Sequence, residues 1–98
     1  MTKADIINQI SIKTGIEKVV VQASVEAFMK TVSTAMISGE NVYLRGFGTF
    51  AVKKRAEKTG RNISKNTLVI IPAHFVPAFK PAKTFANRVK KNVKIEGK

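Results

Sequence analysis

Lys53, Lys54, Arg55, Lys58, Arg61 and Lys65 place six cations within thirteen residues, and the only acid among them is Glu57. Side chains of this type at this density neutralise phosphates, and they supply no nucleophile or proton relay. The stretch from Gly60 to Asn66 holds a glycine and several Asn or Ser residues, which favour turns, so the cations flank the tip of a hairpin. The charge is partitioned along the chain. Residues 1–44 carry four bases (Lys3, Lys13, Lys18, Lys30) and four acids (Asp5, Glu17, Glu26, Glu40), whereas residues 45–94 carry thirteen bases and one acid. A neutral half joined to a half of net charge +12 reads as a platform presenting a polyanion-binding surface.

Other chemistries find little material. The 98 residues contain no cysteine and one histidine, which leaves neither a disulfide framework nor a multi-histidine zinc site within the chain. No metal or cofactor is expected. His74, between Ala73 and Phe75, has no nucleophile or carboxylate pair beside it and reads as structural rather than as a general base. The most apolar stretch, Leu68 to Phe79, is interrupted by Pro72 and Pro77, so neither a signal peptide nor a membrane span is expected. A soluble, intracellular polyanion binder is the default expectation, and catalysis is not expected.

The elements that must position these cations follow from periodicity. Thr2 and Asp5 form a capping-box signal ahead of Ile6, Ile7 and Ile10 at helical spacing, and Gly15 ends that helix. Val21, Val25, Phe28, Val32 and Ala35 or Met36 mark the apolar face of a second helix from about Glu17 to Ser38, stopped by Gly39. From Asn41 the period becomes two, which predicts a strand through Val42 and Leu44, a turn at Gly46 to Gly48, a second strand from Gly48 towards Lys58, and a third over Thr67 to Ile71. Pro72 and Pro77 are expected to limit pairing beyond it. Pro81 suits the first turn of a short final helix, about Ala82 to Lys91.

These elements make an α+β fold in one domain: a helical region (1–45), a sheet with an extended β-hairpin arm (46–81), a C-terminal helix (82–91) and a fraying tail (92–98). On the arm, Lys53, Arg55 and Glu57 are expected on one face and Lys54, Ala56 and Lys58 on the other, a ribbon with cations on both sides that suits a groove. Such an arm contributes nothing to a core, and an isolated hairpin is marginal in water. Phe47, Phe50, Phe75, Phe79 and Phe85 are expected to cluster around the sheet, more aromatic surface than one helical pair covers, so a two-fold dimer is expected.

The run from Gly46-Phe47-Gly48-Thr49-Phe50 through Arg55 to Gly60-Arg61-Asn62, continuing to Pro72-Ala73 and Pro77-Ala78-Phe79-Lys80, closely resembles the HU/IHF family of bacterial DNA-bending proteins. The likeness covers about residues 1–91. It implies an intertwined dimer, homo- or heteromeric, whose helical base carries a three-stranded antiparallel sheet and two arms reaching around double-stranded DNA in the minor groove. It further implies a cytoplasmic, nucleoid-associated protein that prefers bent, nicked or distorted duplex. Carried over by position, Arg55, Lys58 and Arg61 match the arm bases, and Lys3, Lys80 and Lys83 match bases on the body that hold flanking phosphates. Arg45, Lys53, Asn62 and Lys65 complete the expected DNA-binding set. Phe28, Val32, Phe47, Phe50 and Phe79 form the expected dimer core.

One position departs from the family pattern. A proline wedge usually follows the Arg-Asn pair, and here that residue is Ile63. Isoleucine is apolar enough to enter a base step but lacks the fixed φ of proline, so Ile63 is expected to intercalate with bending weaker or more variable than a proline tip gives, the alternative being that it packs on the tip or rests against the sugar surface. Three rival functions stand beside non-specific DNA bending. One is a site-specific factor of the IHF branch. A second is a helix-turn-helix repressor, which would need polar residues where the second helix has Val, Ala, Phe and Met. The third is a basic structural protein that binds RNA.

Overall fold

A computed structural model of the chain describes residues 1–62 and 67–93. Helix α1 spans Lys3–Thr14 and α2 spans Lys18–Ile37. The first turn of α1 is closed reciprocally: the Asp5 N–H donates to Thr2 Oγ1 at 3.3 Å and the Thr2 N–H donates to Asp5 Oδ2 at 2.9 Å. Asp therefore completes the capping box as Glu or Gln would, and the two side chains each satisfy one backbone donor that the helix itself leaves open. Gly15 caps the other end in the left-handed conformation, its N–H returning to the Ser11 carbonyl. The two helices pack together, and Ile7 on α1 and Val21 on α2 are both buried.

Strand β1 (Val42–Leu44), β2 (Gly48–Arg55) and β5 (His74–Pro81) form an antiparallel sheet in the order β1-β2-β5. Strands β3 (Lys58–Asn62) and β4 (Thr67–Ile71) form a separate two-stranded ribbon, the arm. Helix α3 (Lys83–Asn92) follows. Its entry is fastened by the Ala82 N–H, which donates to the Phe47 carbonyl at 2.8 Å.

Three expectations are corrected. The second strand is not continuous to Lys58: Ala56 and Glu57 leave the ladder, and Pro72 and Ala73 leave it opposite them, so a joint separates body from arm. Pro77 does not limit pairing, because β5 runs through it opposite Val52. An edge strand has one row of N–H groups without ladder partners, and there a proline is tolerated. Pro81 ends β5 opposite Gly48 instead of opening the helix, which starts at Lys83 after Ala82.

Gly48 is the residue that lets the body close. A Cβ at this position would lie 2.5 Å from the Lys80 carbonyl oxygen and 2.7 Å from two ring atoms of Phe79. The ring of Phe79 therefore lies directly over the glycine backbone. It meets Phe50 at a centroid distance of 4.9 Å and Phe47 at 5.2 Å, and Phe47 stacks on Phe85 at 5.4 Å. Phe75, expected in this cluster, is outside it and 65% exposed. Among the described residues the buried hydrophobic side chains are Ile7, Val21, Val32 and Ala51, a small core for a chain of this length.

Candidate nucleic-acid interface

Residues directly opposite on antiparallel strands share a face, and successive residues alternate between faces. The register aligns Phe50 with Val42 and with Phe79, and Val52 with Pro77, so these side chains line one face of the sheet. Thr49 aligns with Tyr43 and with Lys80, Lys53 with Val76, and Arg55 with His74. The opposite face thus carries Lys53, Arg55 and Lys80, all exposed, with Tyr43, Thr49 and His74 among them. The body sheet has an aromatic side and a cationic side. Lys54, opposite Phe75, is the one base on the aromatic side, so the expectation of cations on both faces holds for the sheet only through that residue.

The remaining predicted residues are distributed around this face. Arg45 lies in the turn after β1, Lys58 opens β3 opposite Ile71, and Lys83 is the first residue of α3. Arg61 and Asn62 end β3, their backbones paired with Leu68 and Thr67. Ile63 and Lys65 lie outside the described residues, as does the intercalation expected of Ile63. Lys3 is on α1 and is not free: its Nζ lies 2.9 Å from Glu26 Oε2 on α2. That hydrogen bond, a second from Gln22 Nε2 at 3.2 Å, and the Lys3 charge hold the Glu26 carboxyl below its ordinary range.

The expected dimer-core residues divide in two. Val32 is already buried within the chain, while Phe28 and Phe47 are each 46% exposed and Phe79 is partly exposed. Phe28 and Phe47 line an open apolar cleft of about 560 Å³ with Ile6, Ile10, Val20 and Val25, between the helices and the sheet turn. Tyr43, Thr49 and His74 are not among the binding residues that the sequence singles out. Their sequence signal is strand parity, which takes on meaning only through the pairing of β2 with β1 and β5.

A neutral helical base, a sheet with cations on one face, and a two-stranded ribbon that carries Lys58 and Arg61 define an α+β protein with a surface suited to a polyanion. The chain belongs to the HU/IHF family of bacterial DNA-binding proteins: the family model described as Bacterial DNA-binding protein matches residues 1–90. It is 43% identical over 91 residues to DNA-binding protein HU of Thermus thermophilus, covering 93% of this chain and 94% of that one. It is 34% identical over 98 residues to integration host factor subunit beta of Saccharophagus degradans, covering 99% of this chain and 100% of that subunit. Its backbone is similar to that of HU in an Anabaena HU–DNA cocrystal structure, with a TM-score of 0.85, 34% identity, and coverage of 96% of this chain and all of that one.

Proposed function

We propose that the protein is a dimeric architectural factor that bends and compacts double-stranded DNA through the minor groove with low sequence preference, acting at the nucleoid. The observation that carries this reading is the division of the body sheet into an aromatic face and a cationic face that leads into the arm. The cationic face holds the duplex by Lys53, Arg55 and Lys80, while Arg45, Lys3 and Lys83 take flanking phosphates. In this reading Lys58, Arg61 and Asn62 of the arm follow the groove, with Lys65 as a further expected contact. Low preference follows from phosphate contacts, which carry no sequence information, so distorted or nicked duplex is favoured because it costs less to bend. The exposed Phe28 and Phe47 and the cleft they line support a dimer in which a second copy, or a related chain, covers them. The similarity to an integration host factor subunit keeps a site-specific variant of this role as the second reading.

Ile63 is the wedge in this proposal. Single-molecule FRET on a doubly labelled duplex is expected to show a smaller bend for Ile63→Ala than for the wild type, with binding retained. An unchanged bend angle removes the wedge role, and a linear duplex in both complexes removes the bending function. A smaller effect is expected at the base of the helices. Glu26→Gln releases Lys3 to phosphate and raises duplex affinity about threefold, a modest change because exposed ion pairs are weak. Because the Glu26 carboxyl is lowered in the folded state, its contribution to stability is present above the ordinary carboxylate pKa. It is lost as the pH falls through the lowered value. Glu26→Gln is therefore also expected to remove part of the acid limb of a stability-pH profile.

A further inference from the structure

His74, the single histidine of the chain, occupies a place on the cationic face that the proposed function does not use. It opens β5 directly opposite Arg55, and its side chain projects to the same face as Arg55, Lys53 and Lys80, away from Phe75 and Pro77. It is exposed, and it sits beside the joint between body and arm. The ring is oriented. Nδ1 lies 3.0 Å from the Pro72 carbonyl oxygen. A carbonyl can only accept, so Nδ1 carries the hydrogen and the neutral ring presents the lone pair of Nε2 at its other edge.

That edge cannot contact a phosphate while neutral, because both groups are acceptors. One proton turns Nε2 into a charged donor, and imidazoles as a class change charge between pH 5 and 8. The charged groups facing this position are Arg55 and Lys53 from β2, Lys80 further along β5, and Lys58 at the start of the arm. The nearest carboxylate in sequence is Glu57, in the joint. The part of α2 that lines the groove beside Phe75 and Val76 contributes Ser33, Met36 and Ile37, which bear no charge. A bound duplex brings phosphate charge to this face.

We propose that His74 is a proton-gated phosphate ligand: a duplex lying along the cationic face contacts Nε2, and binding takes up a proton at this ring. The inference rests on the DNA-binding reading above and deepens it. It predicts that duplex affinity falls about tenfold between pH 5.5 and 8.0 at constant ionic strength, the worth of one hydrogen bond from a charged donor. His74→Gln removes that dependence by having low affinity throughout, and His74→Arg removes it by keeping high affinity throughout. The arginine variant also steepens the salt dependence at pH 8.0, by about 0.9 per added phosphate contact.

Fluorescence anisotropy with a labelled duplex at several pH values, on variants whose melting curves match the wild type, tests the affinities. Calorimetry in two buffers of different protonation enthalpy counts the protons directly: uptake is expected for the wild type and none of it at this site for His74→Gln. Equal pH dependence and equal proton uptake in the wild type and His74→Gln would overturn the role of His74 while leaving DNA binding intact. Failure of all three proteins to bind duplex would overturn the DNA-binding reading and this inference with it.

Discussion

Replacing Lys53, Arg55 and Lys80 together by alanine lowers affinity for duplex DNA by about two to three orders of magnitude near 0.1 M salt. It also flattens the plot of log K against log salt by about 2.7. The estimate treats each of the three as neutralising one phosphate, and each neutralised phosphate releases about 0.9 of a counterion. The control is a triple variant of equal charge, Lys13→Ala, Lys18→Ala and Lys30→Ala, which removes three exposed cations from the helices. If net charge alone drove binding, the two variants would lose affinity alike. The register places only the first set on one face of the sheet, so only the first set is expected to lose it. Anisotropy titrations across a salt series decide the matter, and equal losses would remove the argument from the sheet face.

Gly48→Ala is expected to lose more stability than the same change at any other glycine among the described residues. Its Cβ would meet the Lys80 carbonyl oxygen, a backbone atom, and the ring of Phe79. The ring cannot retreat freely, because it packs on Phe47 and Phe50. The carbonyl belongs to β5, which pairs with β2 at every position from Gly48 to Arg55. Relief requires a shift of strand or ring, and overpacking of this kind costs about 3 kcal/mol, a large part of a stability of about 5–15 kcal/mol. Urea unfolding would show a lowered midpoint. An unfolding free energy within about 0.5 kcal/mol of the wild type, the usual range for harmless substitutions, would show that the close approach is not a constraint. The triple-alanine variant of the cationic face is expected to unfold no earlier than the wild type, so the two substitutions separate folding from binding.

Much of this molecule is legible in its sequence where one local signal dominates. The capping box at Thr2, the stop at Gly15 and the apolar stripe of α2 act within a few residues, and they position the helices as the periodicity predicts. The sheet is less legible because its decisive partners lie far apart. Pro72 and Pro77 look alike in sequence, yet Pro72 lies in the joint and Pro77 in a paired edge strand. The difference comes from sheet order, which no local pattern encodes. The same holds for the site. The cations at Lys53 and Arg55 are visible as a cluster, but Lys80 and His74 join them only through the pairing of β5 with β2. Phe75 misses the aromatic cluster despite its composition-matched neighbours, because Phe75 pairs with Lys54 at the end of β2 far from Phe47.

The joint at Ala56-Glu57 and Pro72-Ala73 divides the chain into two parts under different demands. The body must satisfy Gly48, the phenylalanine cluster and the β2–β5 ladder at once, so a change at one position is felt at the others. The arm is held to the body by covalent chain and not by a continuous ladder. Substitutions there are expected to leave the body's pairing and packing untouched, and Leu68 and Ile70 stand exposed on β4. Sequence can drift in the ribbon, constrained by the ligand, while the base is constrained by folding. One scaffold can in this way acquire new grips on its partner without having to solve its own packing again.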